Sequence, residues 1–134
     1  MSRNIHSLFL INYFQNGNGS ERGIRMVFNI NGTIWHIQYK NPNTSELMRS
    51  DGTYTLGVTD RNTKTVTIAN CLSKDMTDKV LCHELTHVHA MEYNYTIPIE
   101  TEEIVADFLS LYGRDIIYLA DDIMSGFMER KRYG

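Results

Sequence analysis

The sequence predicts an α+β domain, a small antiparallel sheet followed by two helices, and three observations lead there. Apolar runs with strand character fill the first half, turn dipeptides separate them, and after Ser73 the apolar residues recur at helical spacings. The 134 residues suffice for one hydrophobic core but not for two ordinary domains of about 100 to 150 residues. One domain over 1–134 is expected, strand-rich to residue 72 and helical from residue 73.

The residues before Asn16 are ambiguous between helix and strand, and the segment from Asn16 to Gly23 is loop-like. Ile24 to Ile30 and Thr33 to Tyr39 flank Asn31-Gly32, the dipeptide best suited to the positive φ angles of a type I′ turn, so they predict a hairpin. Asn41-Pro42-Asn43-Thr44 and Asp51-Gly52 are turn signals. Tyr54 to Thr59 and Thr65 to Ala69, joined by the polar loop of residues 60–64, predict a second hairpin. Ser73 can cap a helix of about 18 residues in which Leu81, Leu85 and Val88 form the apolar stripe. Pro98 interrupts that pattern. A second helix starts near Ile99 and carries Val105, Leu109, Tyr112, Ile116, Leu119 and Ile123 on one stripe, with Gly113 as a potential break.

Composition narrows the classes. An apolar fraction of 42% and a charged fraction of 22% are near globular averages, which argues against a disordered chain. No apolar run approaches the roughly 18 residues of a membrane span, and no signal-peptide pattern opens the chain. Cys71 and Cys82 read as two reduced thiols, so a cytoplasmic location is expected. A net charge of -3 gives no global attraction to nucleic acid or anionic lipid, and Arg130-Lys131-Arg132 reads as a solvated tail or helix end.

The chemistry-bearing motif is His83-Glu84-Leu85-Thr86-His87. With five histidines in 134 residues, this His-Glu-x-x-His pattern arises by chance in roughly one shuffled chain per hundred, so its context must decide. The motif lies mid-helix, where residues four apart leave the same face and both imidazoles can meet one metal ion. Zinc binds imidazole readily, and a catalytic site keeps three protein ligands with a fourth position for water. Glu84, beside the first ligand, is placed to act as general base toward that water.

The third ligand is sought on the helix after Pro98, which a helix-loop-helix turn brings back against the motif. Glu100, Glu102, Glu103 and Asp107 are the candidates, and some of this acidity complements the helix dipole. Glu103 is preferred because it shares a face with Asp107, which can then support a ligand histidine; Glu102 stays open as the alternative. His89 points about 200° away from His87 round the helix and reads as a surface residue. Cys82 reads as a buried thiol, and Trp35 and the tyrosines as packing residues.

His83-Glu84-x-x-His87 followed by Glu103-x-x-x-Asp107 resembles the gluzincin arrangement of thermolysin-like metallopeptidases. The resemblance implies zinc, one ion per chain, on His83, His87 and Glu103, with Glu84 as base and Asp107 supporting a histidine. The short chain with a strand-rich front also looks like the compact metallopeptidases of phages and prophages, distantly related to the ImmA/IrrE group. That likeness implies a minimal zincin-like fold with an active-site helix and a glutamate helix, acting on a narrow protein or peptide substrate, with a regulatory protein as a further partner. The competing expectation is a non-catalytic regulatory or protein-binding module with a structural zinc site. Such a site needs a fourth protein ligand such as Cys82 or His89.

Overall fold

A computed structural model describes the backbone of residues 8–15 and 22–133 and the side chains of residues 26–130. Five strands and two helices follow in order: β1 (Leu8–Gln15), β2 (Arg22–Ile30), β3 (Thr33–Lys40), β4 (Gly57–Asp60), β5 (Thr65–Ala69), α1 (Lys74–Glu92) and α2 (Ile99–Tyr133). The class is α+β, as expected. Four expectations for the first half change. The segment before Asn16 holds a strand. Arg22 and Gly23 belong to β2, while residues 16–21 of the expected loop lie outside the described residues. The predicted strand from Tyr54 shortens to β4, and Tyr54 instead bridges Met48.

The β2–β3 hairpin turns at Asn31 (φ 51°) and Gly32 (φ 87°), the pair of positive angles that a type I′ turn needs. Its register places Phe28 opposite Trp35 and Met26 opposite Ile37. The second hairpin, β4–β5, is antiparallel too. The sheet as a whole is mixed and not antiparallel: its order is β1-β2-β3-β5-β4, and β3 runs parallel to β5. The reason is the connection over 41–56, which carries the chain past the place of β5 so that the second hairpin closes back against β3. β4 is therefore the outermost strand on that side.

Phe28, Ile30, Trp35, Ile37, Val66, Ile68 and Val88 form the core, and Val80, Leu81 and Leu85 of α1 pack against it. The alternation on β2 and β3 and the four-then-three spacing on α1 thus meet across one sheet–helix interface. The hairpin also pins the end of α1. Trp35 Nε1 donates to Glu92 Oε1 at 2.8 Å, Lys64 Nζ donates to the same oxygen at 3.2 Å, and Asn31 Nδ2 donates to the Glu92 carbonyl at 3.1 Å.

Ser73 caps α1, its hydroxyl accepting the Met76 N–H at 3.1 Å, and Asn94 with φ 52° ends the helix. The turn through Pro98 reverses the chain, so α2 packs back along α1. Ala106, fully buried, lets the two helices approach. Asp78 and Arg114 form an ion pair farther along, which holds the Asp78 carboxyl below its usual range. Gly113 does not break α2: one interior glycine costs about 1 kcal/mol against alanine, too little to end a helix whose other turns are good helix formers. Among the described residues no helix is long and apolar enough to cross a membrane.

Candidate metal centre

The two helices meet at the histidine motif. His83 and His87 leave one face of α1 with their Nε2 atoms 3.2 Å apart. Glu103 on α2 closes the group, with Oε2 3.1 Å from His83 Nε2 and Oε1 3.0 Å from His87 Nε2. One donor atom from each of these residues lies within 4.8 Å of the others, a group that could hold a metal ion.

The opposite ring nitrogens are occupied by carboxylates. His83 Nδ1 lies 2.9 Å from Asp107 Oδ1, and His87 Nδ1 lies 2.6 Å from Glu102 Oε2. An ionised carboxylate only accepts, so in each pair the imidazole Nδ1 carries the hydrogen, which leaves Nε2 as the nitrogen on the shared face available to a metal. Two imidazole Nε2 atoms and the Glu103 carboxylate thus converge on one point, a donor set of the kind that binds a metal cation. Its dimensions also suit one: ligand atoms on a tetrahedron with bonds of 2.0 to 2.1 Å sit about 3.3 Å apart, close to the separations here.

Each predicted residue can now be placed. His83, His87 and Glu103 come together, and Asp107 lies behind His83. Glu102, left open from spacing as an alternative ligand, lies behind His87 instead, largely buried, and plays there the part that Asp107 plays for His83. The sequence carried a signal for it, the acidic pair Glu102-Glu103, but only the direction of the returning helix separates their roles. His89 and Cys82 stand outside the group. His89 Nδ1 meets the Leu85 carbonyl at 2.7 Å and the ring stacks on Tyr93. Burial pushes the Cys82 thiol up, with Asp78 adding to the shift, so the thiolate that a metal would need is disfavoured.

Glu84 is buried at 7% exposure and points toward β4, where Thr59 Oγ1 donates to its Oε2 at 2.6 Å. Thr59 is a contact that sequence reasoning did not single out, because β4 meets α1 only in the folded chain. A cleft of about 360 Å³ runs past His83, Glu84, His87 and Glu103 and is walled by Gly57, Val58 and Thr59. A neighbouring cleft of about 500 Å³ shares His83 and Glu84 and is lined by Tyr54, Leu56, Met76 and Leu111.

Gly57 sets the spacing between strand and helix. A Cβ there would lie 2.6 Å from Val80 Cγ1 and 3.1 Å from Glu84 Cγ. Gly57→Ala is therefore expected to force β4 away from α1 and to lower stability by about 1 to 3 kcal/mol, as overpacking does. Urea denaturation checks this, and an unchanged midpoint would mean that the two elements separate freely.

No protein-family model matches this chain, and no curated protein or solved structure matches it either.

Proposed function

We propose that the chain is a zinc-dependent metallopeptidase of zincin-like design, with His83, His87 and Glu103 as ligands and Glu84 as general base. The observation that carries this reading is the convergence of both Nε2 atoms and the Glu103 carboxylate, each imidazole being fixed from behind by a carboxylate. Three protein ligands of this kind are typical of catalytic zinc, whereas structural sites use four.

Zinc held by His83, His87 and Glu103 would supply Lewis acidity toward a peptide carbonyl and toward water. The chain's own residues do the rest. Asp107 and Glu102 accept from the Nδ1 side of the two imidazoles and so fix their tautomer and orientation. Thr59 holds one oxygen of Glu84, so the carboxylate stays oriented while it takes a proton from the attacking water and hands it to the departing amine. As the outermost strand beside the cleft, β4 can receive an extended substrate by backbone hydrogen bonds, which favours a peptide over a compact small molecule.

Elemental analysis of protein prepared without chelator tests the centre, together with hydrolysis of labelled proteins and peptides. One zinc per chain is expected, lost in His83→Ala and in Glu103→Ala. Glu102→Ala should still bind the ion, with affinity about 10- to 100-fold weaker because its role is to orient His87. Metal-free wild type, or zinc retained in His83→Ala, would sink the assignment. Zinc binding without hydrolysis of any peptide would move the chain to the non-catalytic module.

A further inference from the structure

The stripe of Val105, Leu109, Tyr112, Ile116, Leu119 and Ile123 has the spacing of a buried helix face, yet in the folded chain it stays in solvent. These residues and Phe127, next in the same row, are between 39% and 60% exposed. The geometry explains why. At 35 residues α2 is about 52 Å long, while α1, at 19 residues, is about 28 Å. The side of α2 that carries Glu102, Ala106 and Ser110 packs on α1, and the Asp78–Arg114 ion pair lies near the far end of α1. The apolar row lies on a different side of α2 and continues past that end.

We infer that this row is the seam of a homodimer in which α2 pairs with α2 of a second copy, antiparallel, centred near Ile116. Three features favour a second copy. First, the seven positions recur at intervals of four and three, with one four-residue step at the end, the period by which two helices interlock. Second, the area suffices: half-exposed side chains of this size contribute roughly 100 Å² each, so the row brings about 700 Å² per copy, near the ~800 Å² per partner of a stable interface. Third, α2 starts acidic, with Glu100 beside the Glu102, Glu103 and Asp107 carboxylates of the metal centre, and ends basic, with Arg130, Lys131 and Arg132 outnumbering Glu129. Antiparallel pairing lays the acidic end of one copy over the basic end of the other, whereas parallel pairing would stack like charges. A lipid surface is the poorer match, because interfacial helices carry lysine and arginine along the polar face and this helix carries Asp115, Asp121 and Asp122 there.

Sedimentation velocity on the full chain tests the inference. The expected species has twice the 15.5 kDa chain mass. Ile116→Asp, which sets two carboxylates against each other at the centre of the seam, should halve the mass while leaving the helical circular dichroism and the metal content of the chain unchanged. Direction is read by oxidising a mixture of Leu109→Cys and Ile123→Cys chains, each with Cys71 and Cys82 replaced by serine. Disulfide-linked mixed dimers are expected, and self-linked Leu109→Cys dimers would overturn the antiparallel arrangement. A wild-type chain that is monomeric at its highest soluble concentration overturns the dimer. So does a monomer that co-sediments with phosphatidylcholine–phosphatidylserine vesicles, which would assign the row to a membrane.

Discussion

Glu84→Gln is expected to keep the fold and the metal and to slow peptide hydrolysis by about 10²- to 10⁴-fold, the usual contribution of a positioned general base. That range corresponds to roughly 3 to 5 kcal/mol of lost barrier lowering. Glutamine has the same shape, so it fills the same space against Gly57 and its amide oxygen can still accept the Thr59 hydroxyl. It lacks the proton affinity of a carboxylate, so it cannot take up the proton that the attacking water must lose. The metal ligands are untouched, and zinc content should remain at the wild-type level. Single-turnover hydrolysis read beside elemental analysis separates the two effects. Wild-type turnover in Glu84→Gln would remove Glu84 from the mechanism, whereas loss of zinc would show that the residue supports the centre and not the proton transfer.

Trp35→Ala is expected to produce the largest loss of stability, about 3 to 5 kcal/mol, the range for deleting a large aromatic from a core. Trp35 is fully buried, stands opposite Phe28 in the hairpin and donates to Glu92. Its removal opens a cavity under α1 and also strips one donor from a largely buried carboxylate. Trp35→Phe keeps most of the packing and loses the indole N–H, so it should cost about 1.5 to 3 kcal/mol, the range for one hydrogen bond to a charged group, with Lys64 still donating to the same oxygen. Both are read by chemical denaturation, followed by circular dichroism because each variant lacks the chain's one tryptophan. A cost below that of Trp35→Phe in the alanine variant would contradict the core described above.

The same contact carries a pH dependence. Burial alone would raise the Glu92 carboxyl, but hydrogen bonds from Trp35, Thr33 and Lys64 outweigh it and hold the group below its ordinary value of 4.5. The folded state therefore binds this proton less readily than the unfolded chain. Its contribution to stability is present above pH 4.5 and fades as the pH falls through the lower folded value. Trp35→Phe weakens the bonds that depress the carboxyl and should shrink that acid-side loss.

Local chemistry determined the elements themselves. Asn31-Gly32 specifies a I′ turn because few residues accept two successive positive φ angles, and Ser73 and Pro98 mark helix boundaries through hydrogen bonds that the backbone must make or cannot make. The i, i+4 spacing of His83 and His87 placed both imidazoles on one face before any fold was considered. What could not be read locally was how separate elements meet. Strand periodicity is the same for parallel and antiparallel neighbours, so the parallel β3–β5 pairing followed only from the path of residues 41–56. Glu102 and Glu103 are adjacent and chemically alike, and only the angle at which α2 returns along α1 sends Glu103 to the Nε2 atoms and Glu102 to the Nδ1 of His87. The apolar row of α2 was legible as a face that must be covered, but periodicity does not say by what. Its exposure follows from orientation and length, since the row lies on the flank beside the face that packs on α1 and α1 is too short to cover a helix of 35 residues.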